Sequence, residues 1–409
     1  TVVETITETV EVETNQYSDS TLEGNVTSNF TLDASKIWLL KGRVSVVAGV
    51  TLTIPAGTII KAAPGTGADA STLIIARGAK IEANGTEEAP IIMTSISDNI
   101  EIGGNYTVNG PSLSVNSRGL WGGLIVLGNA PASFSGDVSE LQIEGIPTSD
   151  INGLYGGTDS SDSSGSIQYF SIRHGGAEIG EGNEINGLTL GGVGSETIIN
   201  HIEVIANVDD GIEFFGGSVN ASNLSVWGQG DDAIDIDQGY SGTIDGVLVV
   251  LTSASDHGLE IDGPEGSLRG RFTLKNATII GSTFNCAALG VDGEMADFRK
   301  GATGDIQNIL FKNFAGGKDI ELDATADAAS YTAGTLTFLN IDILYPSDTD
   351  GNVCFDVESI NQIFDDKTDP VQSSFESDAT SFAEIVPEKK EGNGIDESKL
   401  SWTFYAKYK

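Results

Sequence analysis

Three stretches of this chain, DDGIEFFGG (209–217), DDAIDIDQG (231–239) and DHGLEIDG (256–263), align without a gap over their first five positions, at offsets of 22 and 25 residues. Asp209, Asp231 and Asp256 fall in one column, Asp210, Asp232 and His257 in the next. Ile212, Ile234 and Leu259 share an aliphatic column, and Glu213, Asp235 and Glu260 an acidic one. A unit of this length buries its apolar side only by stacking on its neighbours, so the pattern predicts a solenoid. Successive side chains of a strand point to opposite faces, which puts the aliphatic column inside and the acidic column outside.

The rest of the chain keeps the same grammar. Runs such as STLIIARGAKIEANG (71–85), SIQYFSIRHGG (166–176), RFTLKNATIIGS (271–282), GDIQNILFKNFAGG (304–317) and GTLTFLNIDILYPSD (334–348) are short, β-branched and punctuated by Gly, Pro or Asn. Many read x-I-x-N-x-x-I/V, and no segment between them has a 3.6-residue apolar period, so βαβ crossovers are not expected. We expect an all-β fold, a right-handed parallel β-helix over 34–345. Residues 1–33 read as an N-terminal tether or cap, and 346–409, where the repeat fades, as an irregular C-terminal cap over the last coil.

Of 409 residues, 59 are Asp or Glu and 21 Lys or Arg, a net charge of -38. Such a chain repels phosphate backbones, which excludes nucleic acid as a natural partner. No apolar run is long enough for a transmembrane helix. With 52 Gly and few Lys, the composition suits a β-protein at the outer cell surface or in the extracellular medium. Cys286 and Cys354 are the only cysteines; a single disulfide and two buried thiols are both open.

The acidic columns carry the functional question. Coils stack about 4.8 Å apart, so like charges oppose one another unless a cation, a shared proton or solvent relieves them. Calcium takes six to eight oxygens, and Gly-rich turns leave carbonyls accessible. The candidate ligands are Asp210, Asp232, Asp235 and Asp237, with Glu213, Glu260 and Asp262 beside them, forming one or two Ca2+ sites. Trp227 and Phe215 are the aromatics placed to stack on a sugar ring, although core packing explains Phe215 equally well. His174 and His201 read as structural turn and strand residues. No phosphate-binding loop and no G-x-S-x-G elbow is present.

Two resemblances add to this. AGVTLTIPAGTIIK (48–61), LIIARGAKIEANGTEEAPIIMTS (73–95), RGLWGGLIVLGNAP (118–131) and DHGLEIDGPEG (256–266) resemble a family of secreted and surface-anchored bacterial β-helix proteins, many of them lipoproteins, common in Bacteroidota and marine bacteria. That resemblance implies the fold and an extracellular or cell-surface location and says little about function; a polysaccharide or cell-surface component is the expected partner. NVDDGI, GQGDDAIDI and SDHGLEI are similar to the N-T-D, G-D-D and G-H-G motifs of polygalacturonases. This second resemblance implies Asp209, Asp231 and Asp232 as acid and base carboxylates and His257 as the supporting histidine of a glycoside hydrolase. Val208 stands where that motif has Thr, and Asp256 where it has its first Gly. No R-I-K follows; SLRGRFTLK offers Arg269, Arg271 and Lys275.

The sequence thus leaves three readings open: a calcium-binding glycan-binding or surface-interaction protein, a polysaccharide hydrolase, and a structural surface protein without ligand.

Overall fold

The structure is a computed structural model that describes residues 19–103, 113–179, 184–282, 293–347, 353 and 358–408. Cys286, Cys354 and the first eighteen residues lie outside these. The strands form a parallel β-helix in which each coil contributes three faces. In a representative coil, Thr243–Val250 supplies faces 1 and 2, bent at Gly246, and His257–Asp262 supplies face 3. Face 3 has eleven rungs among the described residues, from Asn25–Val26 to Phe364–Asp366, which at about 4.8 Å each spans roughly 50 Å.

The bend between faces 1 and 2 explains the recurring Asn. It needs a left-handed residue, which Asn tolerates better than most. Asn223, Asn276, Asn308 and Asn340 occupy it with φ between 55° and 59°. Their amides then bond along the axis, Asn308 Nδ2 to Asn276 Oδ1 at 3.1 Å and Asn340 Nδ2 to Asn308 Oδ1 at 2.9 Å. His201 takes the same place, at φ 56°, and stacks on Tyr169 at 4.1 Å. It is therefore a bend residue, where strand alternation had placed it on a sheet face.

Inside, aliphatic columns run the length of the solenoid as one core. Ile212, Ile234 and Leu259 are in register and fully buried, as the repeat predicts. The sheet begins at Thr21–Val26, which pairs in parallel with Ile37–Val46. At the other end it continues through Phe364–Asp366 and Ala383–Ile385. Phe338, Phe364, Phe375 and Phe382 pack together there, Phe364 and Phe382 at 5.2 Å and Phe338 and Phe375 at 5.1 Å.

Residues 387–408 then turn back along face 2 as a strap. Lys390 pairs with Asp342 at 3.1 Å, Gly394 N–H donates to Asn308 O, and Ile395 N–H to Thr278 Oγ1. Leu400 and Tyr405 join Leu248, Val250 and Ile280 in a separate apolar cluster. The strap ends on a buried carboxylate: Phe404 N–H donates to Glu203 Oε1 at 2.6 Å, and the Arg173 guanidinium lies 5.1 Å from the Phe404 ring. Replacing fully buried Leu400 should leave a cavity under the strap; Leu400→Ala is expected to cost about 2–5 kcal/mol in urea unfolding. Val371→Ala, at an exposed site, should cost almost nothing.

Candidate functional site

The acidic column of face 3 is longer than the three aligned stretches suggest. Thr189, Glu213, Asp235, Glu260, Asp297, Glu321 and Asp365 occupy successive rungs in register. Six carboxylates in a row repel one another, so what lies beside each rung decides its state. At the C-terminal rungs Lys367 reaches Glu321 at 2.7 Å and Asp365 at 2.8 Å. At the middle rungs Arg299 bonds Glu260 at 2.5 Å and Asp262 at 2.7 Å, and Lys300 also holds Asp262. Beside Asp210, Glu213 and Asp235 no Lys, Arg or His forms an ion pair among the described residues.

These unpaired carboxylates line a cleft of about 300 Å³ whose walls are Glu144, Glu184, Asp209, Asp210, Glu213, Asp231, Asp232, Asp235 and Glu260. They are buried although they point away from the core, because the described parts of segment 128–187, apart from its coil strand Gly165–Arg173 on faces 1 and 2, fold over the outside of face 3. Ile143, Ile146, Tyr155 and Ile185 from that segment pack on Ile125 and Phe215. Arg43 and Arg77 tie it down through Asp150 and Glu140 at 3.2 and 2.6 Å. Glu144 and Glu184 sit beside these apolar anchors and so reach the cleft. Asn186 donates to Glu213.

The D-D-G turns have a structural job of their own. Asp210 Oδ1 accepts Asp232 N–H at 3.0 Å, and Asp232 Oδ1 accepts His257 N–H at 2.8 Å, so each carboxylate caps the next coil. A Cβ on Gly211 would lie 2.4 Å from Val226 Cγ1 and 2.6 Å from Ala233 O, so glycine is required for the coils to close. His257 Nδ1 also meets Asp232 Oδ1, at 2.8 Å.

Burial and crowding shift these groups together. Burial first, then Glu144 and Asp231, push Asp209 up to about 7. Burial and Asp232 push Asp231 to about 6 and Glu260 to about 8. Asp210, Glu213 and Asp235 are raised well above the ordinary carboxylate range, by burial first, then by Asp235 for Asp210 and Glu213 and by Glu260 for Asp235. Burial disfavours the charged form of His257, but the hydrogen bond and charge of Asp232 prevail and lift it to about 9. Asp262 is buried too, yet Arg299 and Lys300 hold it below its usual value.

The geometry of a cation site is present. Asp210, Glu213 and Asp235 each bring one oxygen within 4.8 Å of the others, as do Asp209, Asp210 and Asp231. Ligands across a bound calcium ion lie about 4.6–5.2 Å apart. Asp235 Oδ1 is buried without a hydrogen-bond partner, although the residue is only 8% exposed.

Of the metal candidates read from the repeat, Asp210, Glu213, Asp232, Asp235 and Glu260 meet in the cleft, with Asp209 and Asp231. Asp237 and Asp262 do not line it, and Asp262 is taken by Arg299 and Lys300. His257 touches Asp232 and lies 3.9 Å from Glu260. The aromatic candidates face elsewhere, a correction to the expectation of sugar stacking. Trp227 points from face 2 into the strap, 5.1 Å from Tyr405, and Phe215 is buried under segment 128–187. Both are spent on packing. Lys275 pairs with Asp245 at 3.2 Å; Arg269 and Arg271 line another cleft. Glu144 escaped the repeat because it comes from an insertion with no counterpart in other coils.

The pectate-lyase-like β-helix domain matches residues 24–404. The chain belongs to that family. No curated protein and no solved structure matches it. Three-faced parallel coils with an asparagine-lined bend are thus the architecture of a pectate-lyase-like β-helix, and no helix is long and apolar enough to cross a membrane.

Groups with raised values bind more protons folded than unfolded, so stability falls as pH rises. The carboxyl values near 6 to 8 and His257 near 9 act in the same direction. In chelator, the melting temperature is expected to fall steadily from about pH 5 to about pH 8. A rise over that interval would mean the cleft carboxylates are not crowded as described.

Proposed function

We propose that this pectate-lyase-like β-helix protein is a calcium-dependent polysaccharide-binding protein of the extracellular space or outer cell surface. One observation carries the reading: the carboxylates of Asp210, Glu213 and Asp235 come together without a protein cation, and Asp235 Oδ1 is buried without a partner. The rungs on the C-terminal side have Arg299, Lys300 and Lys367 for the same purpose. A hard, all-oxygen donor set of this kind favours calcium over transition metals, which prefer nitrogen and sulfur. Asp210, Glu213 and Asp235 would hold the ion, and the more exposed Asp209 and Asp231 would face the open side of the cleft. The family supports a polysaccharide as the partner.

A hydrolytic reading rests on Asp209, pushed to about 7, as acid and Asp231 as base, with Asp232 and His257 in support. One oxygen of Asp209 lies within 4.8 Å of one oxygen of Asp231, whereas inversion wants carboxyl groups about 6.5–9.5 Å apart. Close oxygens suit a shared cation better than an intervening water.

Calorimetry on chelator-stripped protein should show micromolar calcium binding at pH 8. Calcium must displace protons here, so the gain in melting temperature should be larger at pH 8 than at pH 5. Asp235→Asn is expected to weaken binding at least about tenfold and to abolish the gain. Capture on an insoluble polysaccharide panel should be lost in chelator. Absence of calcium binding by the folded wild type would refute the reading, and product release from the panel, removed by Asp231→Asn, would favour the hydrolase.

A further inference from the structure

A second cleft, of about 620 Å³, opens where the turns after two face 3 strands meet the helix Thr325–Thr332. Its walls carry Arg269, Arg271 and Lys300, and no lining side chain is a carboxylate. That is a pointed arrangement in a chain with 59 acidic residues against 21 basic ones. Facing them are the hydroxyl residues Thr303, Ser330 and Thr335 and an apolar strip, Ala326, Ala329 and Ala333.

The parts are held in place. Buried Asp327 accepts Gly301 N–H at 2.7 Å and Ala302 N–H at 3.0 Å, pinning the helix beside Lys300. Arg271 grips Asp305 with Nε and Nη2 at 2.9 and 2.7 Å and gives Nη1 to Gly334 O at 3.2 Å. Lys300 is oriented by Asp262, while Arg269 donates to Gly266 O at 3.3 Å and lies in the field of Asp137. Each cation keeps N–H groups beyond those contacts.

We propose that this cleft binds a sulfate ester on a sugar chain. A carboxylate presents two oxygens in one plane and is met by a single guanidinium fork, and the Arg271 fork already holds one. Three cations from two turns suit an anion with oxygens on three sides. The alanine strip accommodates the apolar side of the ring that bears it. Lys300 connects through Asp262 and Arg299 to Glu260, so both clefts belong to face 3. The inference rests on the polysaccharide reading but not on calcium.

The test is calorimetry on the full chain with a sulfated oligosaccharide, its desulfated counterpart and an oligouronate, in chelator and in calcium. The sulfated compound is expected to bind in both buffers, and to weaken steeply with salt. Arg269→Gln, and separately Ala329→Trp at an exposed helix position, should each weaken it about tenfold or more without changing the melting temperature. Equal binding of the desulfated compound or the oligouronate, dependence on calcium, or no binding of the sulfated compound by folded protein overturns the proposal. If the sulfated compound fails while polysaccharide capture still needs calcium, the second cleft is misread and the acidic cleft is not. Failure of both removes the polysaccharide reading itself.

Discussion

Parallel in-register stacking makes every position of a coil the neighbour of its own equivalent about 4.8 Å away. The rule is indifferent to chemistry. It gathers Ile212, Ile234 and Leu259 into a dry column that helps hold the coils together, and with equal fidelity it gathers Glu213, Asp235 and Glu260 into a column that pushes them apart. The fold therefore has to neutralise whatever outward column it repeats. Asparagine is a case where repetition can satisfy itself, because an amide can both donate and accept along the bend, as Asn308 does between Asn276 and Asn340.

The acidic column is neutralised differently along its length, and the function follows from where the remedy changes. From Glu260 onward the protein supplies its own cations, Arg299, Lys300 and Lys367. Before it, segment 128–187 covers the rungs, removes water and adds Glu144 and Glu184. Covering a charge without pairing it is costly, and here the cost falls on the two rungs with no lysine or arginine beside them. That is an arrangement with a reason only if something cationic arrives from outside. The caps from Asp210 to Asp232 and from Asp232 to His257 explain two of the carboxylates structurally. They do not explain Asp235.

What could be read in the sequence was whatever obeys the repeat. The aligned D-D-G-I stretches place inside and outside residues and the register of Asp210, Asp232 and His257 before any coordinates, and the x-I-x-N-x-x-I/V runs mark the bends even though their reason, a left-handed backbone, is visible only in the fold. Departures from the repeat were silent. Glu144 comes from an insertion between coils, and Arg299 sits one rung beyond the carboxylates it restrains, in a stretch, EMADFR (294–299), that shares the strand pattern but not the acidic signature. Trp227 looked like a sugar platform beside Asp231 and Asp232 because neighbours in sequence need not share a face: the turn between them separates face 2 from face 3. Its true partner, Tyr405, lies at the other end of the chain.

The strap and segment 128–187 solve one problem from two sides. A solenoid's contacts are between neighbouring coils, so coils can part locally. The strap crosses that grain: it ties Asp342 and Thr278 to Glu203, and so spans the coils that carry Asp210, Asp235 and Glu260 on the opposite flank. Segment 128–187 holds the same coils across face 3, where Tyr155 Oη reaches Gln238 Oε1 at 2.7 Å. The repelling rungs are thus clamped on two faces. Between the acidic cleft and the cationic one stands the chain Glu260, Arg299, Asp262 and Lys300, its charges alternating in sign. Each member is held by an opposite neighbour, so this row keeps two fields of opposite sign on one face from collapsing into each other.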